Sequence, residues 1–139
     1  MNELRPPVYE HLNRIGKMVR SAICSLSNSA GVRLQVAGIG SLFHIFLTDQ
    51  EILDHRSAET ANACLLSILD LGLLNRAVYF APGHSCSVSP VTTEDGAQTT
   101  LRAVTKTLES VKTIILYCLL GFLYGLSKDC YAPVCQFFG

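Results

Sequence analysis

From Lys112 to Lys128 the sequence passes through TIILYCLLGFLYGLS without an intervening charge. This run constrains the chain more than any other feature, because a helix needs about 20 apolar residues to span a bilayer. The run falls short of that length, so it reads as a buried or interfacial helix rather than a membrane span. It heads a stretch, Thr113 to Gly139, that is mostly apolar. That stretch holds more than half of the aromatic side chains and half of the cysteines, and Lys128 and Asp129 are its only charges. The preceding part, Met1 to Lys112, carries every other charge and a near-average apolar content, as an ordinary globular body does. The expected organisation is therefore a domain over 1–112 and an apolar, Cys- and aromatic-rich tail over 113–139. A chain of 139 residues is long enough for one well-formed core.

Eleven basic and 11 acidic residues give zero net charge. A nucleic-acid binder needs a basic field to neutralise phosphates, so that class is excluded, as is a polybasic membrane surface. Membrane association is left only to residues 113–127. The N-terminus, with Glu3, Arg5 and Pro6-Pro7, lacks the apolar core of a secretory signal. The six cysteines are irregularly spaced, which favours reduced thiols and a cytoplasmic setting over a disulfide framework. Cys24 and Cys64 are expected on apolar helix stripes, where a free thiol behaves as a small hydrophobe.

Three helices follow from apolar period. After Pro6-Pro7, a favoured helix start, Val8, Leu12, Ile15, Val19, Ala22 and Leu26 recur at steps of three and four until Asn28–Gly31. A second helix is expected from about Ser57 to Leu74, with Ala61, Leu65, Ile68 and Leu69 inward. A third opens at Thr92-Thr93-Glu94-Asp95, where a hydroxyl caps free amides and carboxylates suit the positive helix end. Ala97, Leu101, Val104, Leu108 and Val111 continue it. Strands are expected at Val32–Val36, Ser41–Leu47, Ala77–Ala81 and, briefly, Cys86–Ser89, the first two joined at a Gly38-Ile39-Gly40 turn. This order predicts an α+β two-layer sandwich: a small, mainly antiparallel sheet with helices on one face, plus an extra C-terminal apolar helix.

Spacing offers little chemistry. Gly38-Ile39-Gly40 opens a GxGxxG pattern, but Phe43 occupies the last glycine position and a strand follows, so no helix amides meet a phosphate. His84-Ser85-Cys86 resembles a nucleophile cluster, since His84 and Cys86 share a strand face, yet no orienting carboxylate is identifiable. His11, His44, His55, His84 and the cysteines lack metal-ligand spacing. Asp49, Glu51 and Asp54 read as a solvated acidic loop. Of the lysines, Lys17 and Lys106 fall on polar helix faces, and Lys112 and Lys128 flank the apolar run, so none has the apolar pocket of a Schiff-base nucleophile. No catalytic and no metal-binding residue is assigned.

Three stretches carry a resemblance: GIGSLFHIFLTD (Gly38 to Asp49), LGLLNRAVYFAP (Leu71 to Pro82) and SVSPVTTEDGAQTTLRAV (Ser87 to Val104). In order and spacing they resemble the C-terminal small domain of class-III pyridoxal-phosphate-dependent aminotransferases, nearest to the glutamate-1-semialdehyde 2,1-aminomutase-like branch. The likeness extends over about Pro6 to Lys112. It includes a long first helix over Val8 to Ile23 and a Gly-Ser-hydrophobic-Phe motif at Gly40-Ser41-Leu42-Phe43. Ala77 departs from the family, which often has glycine there, and so does Gly96-Ala97 after the acidic helix start.

The resemblance implies amino-group transfer through pyridoxal phosphate in the parent family. It also implies that Gly40, Ser41, Phe43, Pro82 and His84 lie on loops facing the substrate channel. The family's Schiff-base lysine, pyridinium-pairing aspartate and phosphate cup belong to a large domain with no counterpart in this sequence. The expectation is thus a C-terminal fragment or truncated paralogue that is inactive alone, binds no cofactor by itself, and has a large domain or second subunit as partner. The alternative is a non-enzymatic partner-binding or membrane-associated protein using the apolar helix at 113–127.

Overall fold

A computed structural model describes residues 6–80 and 85–123. Helix α1 (Pro6–Ala30) begins at the proline pair and buries Leu12, Ile15, Val19 and Ile23, the face set by its apolar period. The buried stripe continues through Gly16 and Ser27, so Ala22 and Leu26 end half-buried at its edge. The helix stops where Gly31 adopts φ +72°, with the Gly31 and Val32 amides donating to the Asn28 and Ser27 carbonyls. This is the left-handed helix ending that glycine tolerates without strain.

Strand β1 (Gln35–Ile39) pairs antiparallel with β2 (Leu42–Phe46), from Gln35 opposite Phe46 to Ile39 opposite Leu42. The connecting loop is therefore Gly40-Ser41, two residues later than the expected glycine turn, and Gly38 and Ile39 belong to the strand. Gly40 at φ +59° takes the first loop position, as a type II′ hairpin turn requires. After β2, Asp54 caps the short helix α2 (His55–Glu59) in a reciprocal box with Ser57. The Asp54 carboxyl is held below its usual range by the Ser57 amide and hydroxyl.

The single helix expected from Ser57 to Leu74 is thus two helices. Asn62 accepts from the Leu65 amide and starts α3 (Ala63–Leu74), and its own amide donates to the Leu47 carbonyl. An asparagine there caps a new helix more favourably than it extends an old one. Leu65, Leu66, Leu69 and Leu73 face the core, while Cys64, expected on the apolar stripe, is exposed.

The strand expected at Ala77–Ala81 does not form over 77–80, and Ala81 lies outside the described residues. The amides of Ala77 and Val78 are already used: they donate to the Leu74 and Leu73 carbonyls and close α3. The third strand is instead β3 (Ser85–Ser87), antiparallel to β2 with Cys86 opposite Phe43, giving the order β1-β2-β3. Helix α4 (Glu94–Leu123) starts as read from the sequence, with Thr93 Oγ1 accepting from the Gly96 amide and Glu94 and Asp95 in the first turn. It runs past Thr113 unbroken, so the start of the apolar run is part of α4 as far as Leu123.

The fold is α+β. Phe43, Ile45 and Cys86 point from the sheet into the core, and Leu42, His44, Ser85 and Ser87 point away. Helix α1 packs on β1, β2 and α4, and α4 packs in turn on α3. No helix among the described residues is long and apolar enough to cross a membrane.

Candidate functional site

Two features adjoin on the β2–β3 side of the sheet: the Gly40-Ser41 turn and a cleft beside β3. The turn rests on α1, which reaches it closely because Gly16 lacks a side chain. A Cβ at Gly16 would overlap the Gly40 carbonyl oxygen and stand 3.0 Å from Ser41 Cα. Sequence reasoning passed over Gly16, although a glycine inside an amphipathic helix is a signal: it destabilises by about 1 kcal/mol relative to alanine unless packing requires it. Arg20, one turn further on, donates from its guanidinium to the Gly40 carbonyl. On the other side, the Val88 amide donates to the Ser41 carbonyl at 3.0 Å, tying the turn to the chain after β3.

The cleft, about 440 Å³, is lined by Val19, Phe43, Val78, Phe80, Cys86 and Thr100, among others. Phe43 is therefore at its floor, buried at 3% exposure, whereas Gly40 and Ser41 lie outside it on the adjoining turn. Pro82 and His84, the other two expected channel residues, lie outside the described residues. The structure thus brings β3 beside the turn and Phe43, which precede it by some 40 residues in sequence.

The chemistry of this lining is limited. Its described residues are apolar, hydroxyl-bearing or thiol-bearing, with no carboxylate, lysine or arginine among them. The Cys86 thiol is pushed up to about 12, mainly by burial and further by the negative charge of Asp70. A nucleophilic cysteine needs the opposite shift. Burial therefore keeps this thiol protonated, and Asp70, distant in sequence and not foreseen as a neighbour, adds to that effect rather than activating it. Ser85 Oγ and His44 Nε2 are 3.3 Å apart on the open face of the sheet, both exposed. Lys17, Lys106 and Lys112 stand exposed on α1 and α4, away from the cleft, and Lys128 lies outside the described residues. Among the described residues, no group of three or more His, Cys, Asp or Glu is placed to hold a metal.

At the far end of α1, His11 Nε2 lies 3.0 Å from the Thr92 carbonyl and Arg14 pairs with Glu94, fixing α1 to the start of α4.

No protein-family model matches the chain. In sequence it is 29% identical over 109 residues to a glutamate-1-semialdehyde 2,1-aminomutase of Alkaliphilus oremlandii, covering 77% of this chain and 24% of that protein. In fold it is similar to a β-phenylalanine aminotransferase of Variovorax paradoxus, with TM-score 0.72 and 22% identity over 79% of this chain and 26% of that one. A glutamate-1-semialdehyde aminomutase of Pseudomonas aeruginosa gives TM-score 0.69 and 18% identity, over 79% and 25% of the two chains. A transaminase solved with PLP bound gives 0.65 and 21%, over 79% and 25%. The chain spans about a quarter of the length of the proteins it matches. Over some three-quarters of its own length, this chain is homologous to the glutamate-1-semialdehyde 2,1-aminomutases and has the fold of one part of the pyridoxal-phosphate-dependent class-III transaminases.

Proposed function

We propose that this chain serves as the C-terminal small domain of a class-III aminotransferase or aminomutase, a structural component of amino-group transfer that supplies no catalytic group. One observation carries the reading: the part that resembles these enzymes is a helix-backed sheet whose cleft has no acid, base or amine among its described lining residues. Its contribution is geometric. The Gly40-Ser41 turn forms a wall that orients a substrate and excludes water, backed by Phe43 in the core.

The residues described here do not fit pyridoxal phosphate. Its aldehyde needs a lysine in an apolar pocket, its ring nitrogen a carboxylate, and its phosphate a cluster of donors. The described lysines stand exposed on the outer faces of α1 and α4, and Asp70 sits by a buried thiol. Those groups therefore have to come from a cofactor-binding large domain, in the same polypeptide or another. A cytoplasmic setting goes with this reading.

Titrating the purified chain with pyridoxal phosphate and following absorbance tests it. The expected spectrum is that of the free cofactor in the presence of exposed lysines. A saturable protein-bound band in the aldimine region, at one cofactor per chain, overturns the reading.

A further inference from the structure

Three positions on one face of α1 converge on a single loop. Asn13 Oδ1 lies 2.7 Å from where a Cβ on Gly40 would stand, Gly16 admits the Gly40 carbonyl against the helix backbone, and Arg20 donates to that carbonyl. The spacing of three and then four residues keeps all of them on the same side of the helix. The loop they meet has little freedom elsewhere: Gly40 is in the left-handed region and Ser41 is bonded to Val88. Arg20 is half-buried, and its bond is charge-assisted, the stronger class of hydrogen bond. A hairpin of this type forms without an arginine beneath it, so the contact sets where the turn sits rather than whether it forms.

We propose that Arg20 is a positioning residue that latches the Gly40-Ser41 turn to α1, with Gly16 as the seat of the latch. What the turn is positioned for rests on the reading above, in which it walls the substrate channel.

The test is residue-resolved amide exchange on the full chain. The reporters are Val88, which donates to Ser41, and Leu42, the first residue of β2. In Arg20→Leu both are expected to exchange about tenfold faster, while Leu69 and Leu108 in α3 and α4 stay within about twofold of wild type. Arg20→Lys keeps a cationic donor and is expected to recover part of the protection. Should Arg20→Leu precipitate, Arg20→Gln takes its place with the same pattern at smaller amplitude. Unchanged reporters, uniform acceleration across the chain, or a lysine variant identical to the leucine one each overturn the latch. A loosened turn in a chain that itself binds pyridoxal phosphate keeps the latch and overturns the reading it serves.

Discussion

The two stretches of α4 are made of different sequence and behave in opposite ways. From Glu94 to Val111 the helix is mixed in composition, with Arg102, Lys106 and Glu109 among its residues, yet Ala97, Val104, Leu108 and Val111 are buried against α1 and α3. From Thr113 the sequence is nearly all apolar, yet Ile115 is the last of the side chains described in the core, and Leu116, Tyr117 and Leu120 are exposed at 54%, 70% and 40%. Burial therefore follows the period of the apolar residues and not their density. A helix can bury only the face a neighbour covers; in its first stretch α4 meets α1 where Arg14 pairs with Glu94 and α3 where Gly72 abuts Thr107.

Substitutions along and beside α4 sharpen this contrast. Leu108→Ala removes a fully buried side chain and is expected to destabilise by about 2–5 kcal/mol in urea unfolding. Gly72→Ala comes next: a Cβ there would meet Thr107 Cγ2 at 2.5 Å, where α3 crosses α4. Prying these helices apart is expected to lose about 1–3 kcal/mol. Ala77→Gly acts in the other direction. Ala77 holds φ +58° at the end of α3, so glycine is expected to stabilise by about 1 kcal/mol, read as a higher unfolding midpoint with unchanged slope. Leu120→Ala, in the apolar stretch, is expected to change stability by no more than about 0.5 kcal/mol. A loss at Leu120 comparable to that at Leu108 would break the contrast.

A pH dependence follows from the covered side of the sheet. Burial keeps the Cys86 thiol protonated up to about 12, above its ordinary value of 9.0. The unfolded thiol releases its proton first, so the stability linked to Cys86 is complete below about pH 9 and declines between there and pH 12. Urea midpoints for wild type and Cys86→Ala should therefore diverge less as pH rises through that window. Iodoacetamide should modify exposed Cys64 in the native protein and Cys86 only on unfolding, as peptide masses would show.

Much of the fold was legible because three kinds of signal are local. The stripe through Leu12, Ile15 and Val19, the acidic start at Glu94-Asp95 and the short apolar run from Ser41 to Leu47 each mark an element with no help from its neighbours. Val78-Tyr79-Phe80 misled, since β-branched and aromatic residues read as strand, while the backbone bonds ending α3 take the amides a strand would use. The ending also shows what the glycine often found in the family would supply at Ala77: a left-handed φ, here +58°, without strain. The same pair of bonds closes α1, but there Gly31 holds the left-handed position and here alanine does. For the candidate site, the turn was readable from its glycines to within two residues. The cleft was not, because it depends on α1, the end of α3, β3 and α4 meeting in space. The part Gly16 and Arg20 play shows in no local pattern and is visible only where the hairpin rests on α1.

The claim that packing, rather than apolar composition, decides which part of this chain is structurally committed is tested most directly by amide exchange along α4 in the unmodified protein. The expected profile has Val104, Leu108 and Val111 exchanging only as the whole fold opens, with rates rising beyond Ile115 through Leu116, Tyr117 and Leu120. Slow exchange at those last three residues, equal to that at Leu108, would show a covered apolar end and contradict the account.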